Sequence, residues 1–156
     1  MNKINHILPA PTKCPKCNSR RVLLCYSRLI SEHLYKCGKC GASVWCHKDT
    51  IIPMGYMAGK TIRTLRCKAH DTTDLLWKSG PMSRENVYRW IGEVTDRKYE
   101  DSHIGMLTEQ ELRLVIKLGP EKYRKLISAK KKKGRNPDAK FIRIRRSKQK
   151  RQRKNG

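Results

Sequence analysis

Residues 14–40 read CPKCNSRRVLLCYSRLISEHLYKCGKC, two Cys-x-x-Cys pairs with nineteen residues between them. Two residues between paired cysteines allow a tight turn that aims both thiolates at one ion, with backbone amides pointing at the sulfurs. Gly38 and Gly41 are expected to supply the left-handed backbone such a knuckle uses. The nineteen-residue gap fits a β-hairpin that carries the second knuckle back to the first. Cys14, Cys17, Cys37 and Cys40 are therefore expected to hold one structural zinc ion, Zn2+, in a closed four-thiolate cage. Four protein ligands leave no open position, so no metal-activated water is expected. Iron in a rubredoxin-like cage is the rival metal, but nothing in the chain suggests electron transfer.

Outward from this stretch, Arg21–Tyr26, His33–Lys36 and Ala42–Cys46 read as three short strands of mixed polarity, as expected where a metal substitutes for a core. Beyond them the periodicity turns helical. A first helix from about Ala58 to Lys78 would place Ile62, Leu65, Ala69 and Leu76 near one face, and Gly80-Pro81 stops it. Ser83 is a suitable N-cap for a second helix through Val87, Trp90, Ile91 and Val94. Thr108 and Glu111 form the capping-box pattern, opening a third through Leu112, Val115, Ile116 and Leu118. Gly119-Pro120 is expected to end that helix and start a fourth, Glu121 to about Ala129. The fold class is thus α+β: a small zinc ribbon of short antiparallel strands, three to four helices and a basic C-terminal tail. The expected divisions are an extended lead at 1–12, the ribbon at 13–52, a helical region at 53–129 and the tail at 130–156.

Charge dominates the composition. Of 156 residues, 37 are Lys or Arg and 13 are Asp or Glu, a formal net charge of +24. Such an imbalance disfavours a compact isolated chain and favours a polyanionic partner. Nucleic acid, RNA or DNA, is the expected one, because each neutralised phosphate releases condensed counterions. A membrane is not expected. No apolar run approaches the roughly 20 residues that span a bilayer, and no amphipathic helix joins a clean apolar face to a basic one. The start, MNKINHILPAPTKC, lacks a signal-peptide apolar stretch, so a cytoplasmic location with reduced thiols is expected. The seven cysteines then read as metal ligands and free thiols.

Residues 130–156 hold fourteen Lys and Arg against the single Asp138, or +13 of the +24. Lys130, Lys131, Lys132, Lys133, Arg135, Arg143, Arg145, Arg146, Lys148, Lys150, Arg151, Arg153 and Lys154 are too dense for an ordinary solvated face, and are expected to contact phosphates. Phe141, Ile142 and Ile144 interrupt this charge as candidate anchors. On the ribbon, Lys16, Arg20, Arg21, Lys39 and Lys48 are the further candidates, joined by Lys13 and Lys36. Tyr26, Tyr35 and Trp45 lie among them; an aromatic there could stack on an unpaired base, or Tyr35 and Trp45 could fill the ribbon's small core, which is the expected role of Trp45. Lys60, Arg63, Arg66 and Lys68 recur on the first helix, either tracking a phosphate backbone or forming a solvated face.

A second metal site would have to draw on Cys46, His47, Cys67 and His70. Adjacent Cys46 and His47 point to opposite sides of an extended strand, which makes joint ligation awkward. The alternative is that Cys25 and Cys46 are small buried hydrophobes and Cys67 a helix residue.

The segments CPKC (14–17), CGKCGASVWCHKDT (37–50), Ala69-His70, Leu76–Gly80, Met82–Arg84 and His103–Met106 resemble, in order and over about residues 12–118, a family common in phages and prophages, the "zinc-finger-containing domain" family, which has no assigned activity. The basic tail lies outside the resemblance. The Cys46-His47 and His70 positions match the family pattern and Cys67 does not, which implies a structural role for His70, capping or bonding near the ribbon. The resemblance implies a phage accessory protein, without a mechanism.

Three functions follow. The first is a nucleic-acid-binding module in which ribbon and helices form the scaffold and the tail supplies affinity. The second is an adaptor that docks on host RNA polymerase or a ribonucleoprotein such as the ribosome. The third, an enzyme, is not expected: carboxylates are sparse, and His70, Asp71 and Asp74 are the nearest approach to a catalytic cluster. No small-molecule substrate is expected either.

Overall fold

The computed structural model describes residues 8–78 and 80–133. Three antiparallel strands come first: β1 (Val22–Ser27), β2 (Glu32–Cys37) and β3 (Ser43–Trp45), in the order β1-β2-β3. The β1–β2 register pairs Val22 with Cys37 and Ser27 with Glu32, so the hairpin delivers Cys37 next to the first knuckle. Tyr35 pairs with Val44 and Leu34 with Trp45. Side chains alternate across a strand, so Tyr35 and Val44 share one face and Trp45 takes the other. Tyr35 is accordingly buried with Val44, Met57 and the metal-site cysteines, whereas Trp45 stays half-exposed outside that core. The expectation that Trp45 fills this core is overturned, and Tyr35 fills it instead.

The ribbon reaches past residue 52. Cys46 bridges to Pro53 and Ser43 to Ala58, so residues 53–58 run back along the outer edge of β3. The N–H of Met54 donates to the Trp45 carbonyl (2.9 Å), and the N–H groups of Ser43 and Ala58 donate to each other's carbonyls (3.0 Å each). Ile51 accepts from the buried Tyr35 hydroxyl at 3.1 Å. A residue run with no strand periodicity thus becomes an edge because it satisfies β3's open backbone groups.

Three helices follow: α1 (Lys60–Trp77), α2 (Arg84–Thr95) and α3 (Glu109–Lys133), with short 3-10 turns at Tyr99–Asp101 and Ile104–Met106 between α2 and α3. Helix α1 buries Leu65, Ala69, Thr73 and Leu76. The Ser83 hydroxyl caps α2 by accepting from the Asn86 N–H at 3.2 Å. At the start of α3, Glu111 accepts from the N–H of Thr108 (2.6 Å) and its hydroxyl (2.7 Å), the capping-box arrangement. These helices enclose one core, in which Leu76, Ile91, Leu112 and Val115 are wholly buried beside Trp90 and Leu107.

Helix α3 corrects one expectation: it does not stop at Gly119-Pro120 but runs through both to Lys133. Proline forfeits one helical hydrogen bond, at a cost of about 3 kcal/mol in an unsupported helix. Packing offsets it, since Leu118, Tyr123 and Leu126 lie on both sides of Pro120 and all press on the core. Gly119 has a different role from helix termination: it is buried against α1, and a Cβ there would collide with Thr72 Cγ2. Lys130–Lys133 consequently belong to α3, not to a separate tail.

Candidate metal centre

The four cysteines converge. Their sulfurs all lie within 4.8 Å of one another, with Cys14–Cys40 and Cys17–Cys37 each 3.6 Å apart. Zinc–thiolate bonds of about 2.3 Å in a tetrahedron place neighbouring sulfurs roughly 3.8 Å apart, so the donor set and its size fit one zinc ion. Cys14 and Cys37 are buried and Cys17 and Cys40 partly so.

The two knuckles are local copies of each other. In the first, Cys14 N–H donates to Ser19 C=O and Asn18 N–H to Cys14 C=O, both at 2.9 Å. In the second, Cys37 N–H donates to Ala42 C=O at 2.8 Å and Gly41 N–H to Cys37 C=O at 3.0 Å. Each knuckle ends on a left-handed residue, Asn18 (φ 57°) and Gly41 (φ 70°). Gly38 is not left-handed, so only Gly41 of the two expected glycines has that role. Asn18 holds the equivalent place in the first knuckle, and aligning CPKCN with CGKCG would have found it, because asparagine tolerates this conformation best after glycine.

The knuckle backbone also sets up the sulfurs electrostatically. The amide of Cys40 brings the Cys37 thiol down to about 6, against desolvation and aided by the Lys39 amide, whose N–H lies 3.4 Å from the sulfur. The Ser19 amide pulls Cys17 down, but desolvation and the sulfurs of Cys40, Cys37 and Cys14 outweigh it and push that thiol up to about 12. The Cys37 thiolate forms readily, and Cys17 resists a second negative charge beside it. That is the balance a bound dication resolves, since it favours all four thiolates together.

No second cluster of this kind occurs among the described residues. Cys46 is fully buried in the ribbon core, Cys25 is only half-buried, and Cys67 is exposed on α1. His70 is not near the ribbon, contrary to expectation. It lines a shallow cavity between α1 and α2 with Asp74, Trp77, Arg84, Tyr88 and Ile104. Desolvation lowers the His70 pKa although Asp74 opposes it. Both Asp74 oxygens are engaged, by Trp77 Nε1 (2.9 Å) and Lys78 Nζ (2.5 Å), and chiefly the Lys78 bond lowers its pKa. The Arg84 guanidinium sits over the rings of Trp77 (5.4 Å) and Tyr88 (5.8 Å).

Of the basic candidates, Lys16, Arg20, Arg21, Lys39, Lys48 and Lys130 are all exposed. Lys16 and Lys39 occupy the same position in the two knuckles, and Lys16 lies along Gly59, the residue before α1. Arg63 and Arg66 have another role from the one expected. Arg63 donates to Ser43 Oγ, and Arg66 donates to the Tyr56 carbonyl at 2.8 Å. They join α1 to the ribbon, and burial lowers the pKa of Arg66. The N–H of Tyr56 completes the junction by donating to Gly105 C=O at 3.0 Å. The side chains of Lys131, Lys132 and Lys133, and all of Arg135, Arg143, Arg145, Arg146, Lys148, Lys150, Arg151, Arg153 and Lys154, lie outside the described residues, as do Phe141, Ile142 and Ile144. No helix among the described residues is long and apolar enough to cross a membrane.

No curated protein and no solved structure matches the chain. One family model does, over residues 10–122, which takes in the four-cysteine cluster, the ribbon and the helices down to the middle of α3. With the zinc cage at its N-terminal end and that match over most of its length, the chain belongs to the family described as the zinc-finger-containing domain.

Proposed function

We propose that this chain is a nucleic-acid-binding protein, an accessory protein of phage type and not an enzyme. Its zinc ribbon presents a fixed set of cations, and the basic segment from residue 130 onward supplies most of the affinity. One observation carries the reading: the distribution of ion pairs. Residues 13–52 contain eight Lys and Arg against Glu32 and Asp49. Among the described residues all five ion pairs lie in the helical region, at Asp74–Lys78, Glu85–Arg89, Arg97–Glu111, Glu109–Arg113 and Glu121–Lys125. The helices pair part of their positive charge with their own acids, and among the described residues the ribbon's cations form no ion pair. An exposed surface of uncompensated positive charge, held rigid by a metal, suits a phosphate backbone. The contacts that fit it are phosphate contacts, which position a strand without reading its sequence.

The test is fluorescence anisotropy with labelled single-stranded RNA, single-stranded DNA and duplex DNA across a salt series. Binding is expected to weaken steeply as salt rises, with a slope proportional to the phosphates neutralised. Truncation after residue 133 should remove most of that slope. Replacing Lys16 and Lys39 with glutamine should reduce it by roughly one for each lysine. Equal affinity at low and high salt, or no binding to any of the three probes at low salt, would overturn the proposal.

A further inference from the structure

The ribbon has a second surface that the phosphate reading does not use. Strand β1 is the edge of the sheet, and among the described residues no strand pairs with its outer side. Gly38 N–H donates to Arg21 C=O at 2.8 Å, so residues 21, 23, 25 and 27 face β2 and residues 24 and 26 turn their N–H and C=O groups outward. The open edge is also apolar. Leu24 is 46% exposed, Tyr26 55% and Leu23 56%, and the hairpin tip adds Leu29 at 94% and Ile30 at 48%. Neither face of β1 is covered as the rest of the ribbon is: its residues are half-buried or exposed throughout, while β2 buries Tyr35 and Cys37. The hairpin therefore projects beyond the metal-centred core as an apolar arm.

Charge says what covers it. Arg21 and Arg28 bracket β1, Arg20 adds to the first, and residues 20–28 contain no acid. A second copy pairing symmetrically about Leu24 would set Arg20 opposite Arg28 twice, a like-charge placement that destabilises a sheet. A strand with a carboxylate opposite each arginine would complement both. We infer that β1 is a docking edge for an extended segment of a partner protein, apolar in its middle and acidic at its two ends, which adds as a fourth strand against Leu24 and Tyr26. Main-chain bonds to the edge fix the segment, and the two arginines select its ends. The inference stands on the apolar edge and a protein ligand and not on the nucleic-acid reading, although Arg20, Arg21 and Arg28 are also among the ribbon cations of that reading.

The experiment uses the zinc-loaded full chain, labelled with nitrogen-15 and titrated with three synthetic octapeptides. The first alternates valine and threonine between an aspartate at each end. The second has a lysine at each end instead. The third keeps the aspartates but has a proline at its centre, so that its charge is unchanged and its strand is broken. The first peptide is expected to shift the Leu24 and Tyr26 amides selectively and protect them from hydrogen exchange. It should bind roughly threefold to tenfold more tightly than either of the others. Arg28→Glu should reduce the preference for aspartate ends, with zinc content as the check that the ribbon remains folded. Leu24→Lys with Tyr26→Lys should abolish selective shifts while retaining the metal. Equal binding of the first and third peptides would show attraction by bulk charge alone and overturn the inference. So would the absence of shifts at Leu24 and Tyr26, or sedimentation showing that β1 pairs with a second copy of the chain.

Discussion

The ribbon and the helical region achieve stability by opposite means. The helices bury Leu76, Ile91, Leu112 and Val115 completely and, among the described residues, carry five ion pairs. The ribbon buries chiefly Tyr35, Val44, Met57 and its cysteines, and leaves Leu24, Tyr26 and Leu29 outside. A core so small cannot offset the backbone entropy of some forty residues. The cage of four sulfurs must make up the difference, as in small zinc modules generally. The contrast teaches that the ribbon's surface is free for other uses. Because the metal holds it together, its cations need no acidic partners and its edge strand need not be buried.

The largest expected effect breaks that contrast directly. Stripping the metal with a chelator should unfold the ribbon while the helical core persists, since apparent zinc binding contributes on the order of 10 kcal/mol in such modules. Amide spectra should then collapse for residues 13–58 and not for α1–α3. A concerted loss of both would mean that the ribbon supports the helices. Acid should have the same regional effect, because protons compete for the thiolates. The reciprocal experiment is Leu112→Ala, which opens a cavity in the helical core and should cost about 2–5 kcal/mol. A lowered melting temperature with full zinc content is the expected result.

The Arg97–Glu111 pair gives a smaller and pH-dependent effect. Burial pushes the Glu111 carboxyl up, but Arg97 (2.6 and 3.0 Å) and the Thr108 bonds pull it further down, leaving its pKa below the usual range. A carboxyl whose pKa is depressed on folding stabilises the fold above its unfolded pKa. That contribution is lost as pH falls through the folded value. Glu111→Gln should cost about 1–2 kcal/mol near neutral pH and far less in acid, where the wild type has lost the same charge. Thermal melts of both proteins across the acid range would show it.

At the knuckle, Asn18→Gly should be near neutral, whereas Asn18→Val should lose roughly 1–2 kcal/mol by forcing a branched side chain into left-handed backbone. Zinc affinity is the readout. Smallest of all, Glu85→Gln should change stability by less than about 0.5 kcal/mol, because its pair with Arg89 is exposed and contributes little.

What sequence alone determined follows from local rules. The paired Cys-x-x-Cys spacing specifies a four-sulfur cage because each knuckle is closed by its own backbone bonds, wherever the rest of the chain goes. Ser83 and the Thr108–Glu111 box start helices for the same reason, since a cap is satisfied within four residues. The +24 charge likewise needs no fold to be counted. Only the tertiary structure decided the features that depend on distant neighbours. Pro120 sits inside a helix because core packing on either side of it outweighs one lost hydrogen bond. Arg63 and Arg66 face the ribbon because Ser43 and the Tyr56 carbonyl happen to meet them there. Residues 53–58 take up an extended course because they pair with the free side of β3, and β1 keeps an open edge because no strand among the described residues covers it. Trp45 is excluded from the core by register alone, a single alternation that no composition reveals. Local bonds made the metal site legible; long-range packing decided which surfaces it leaves available.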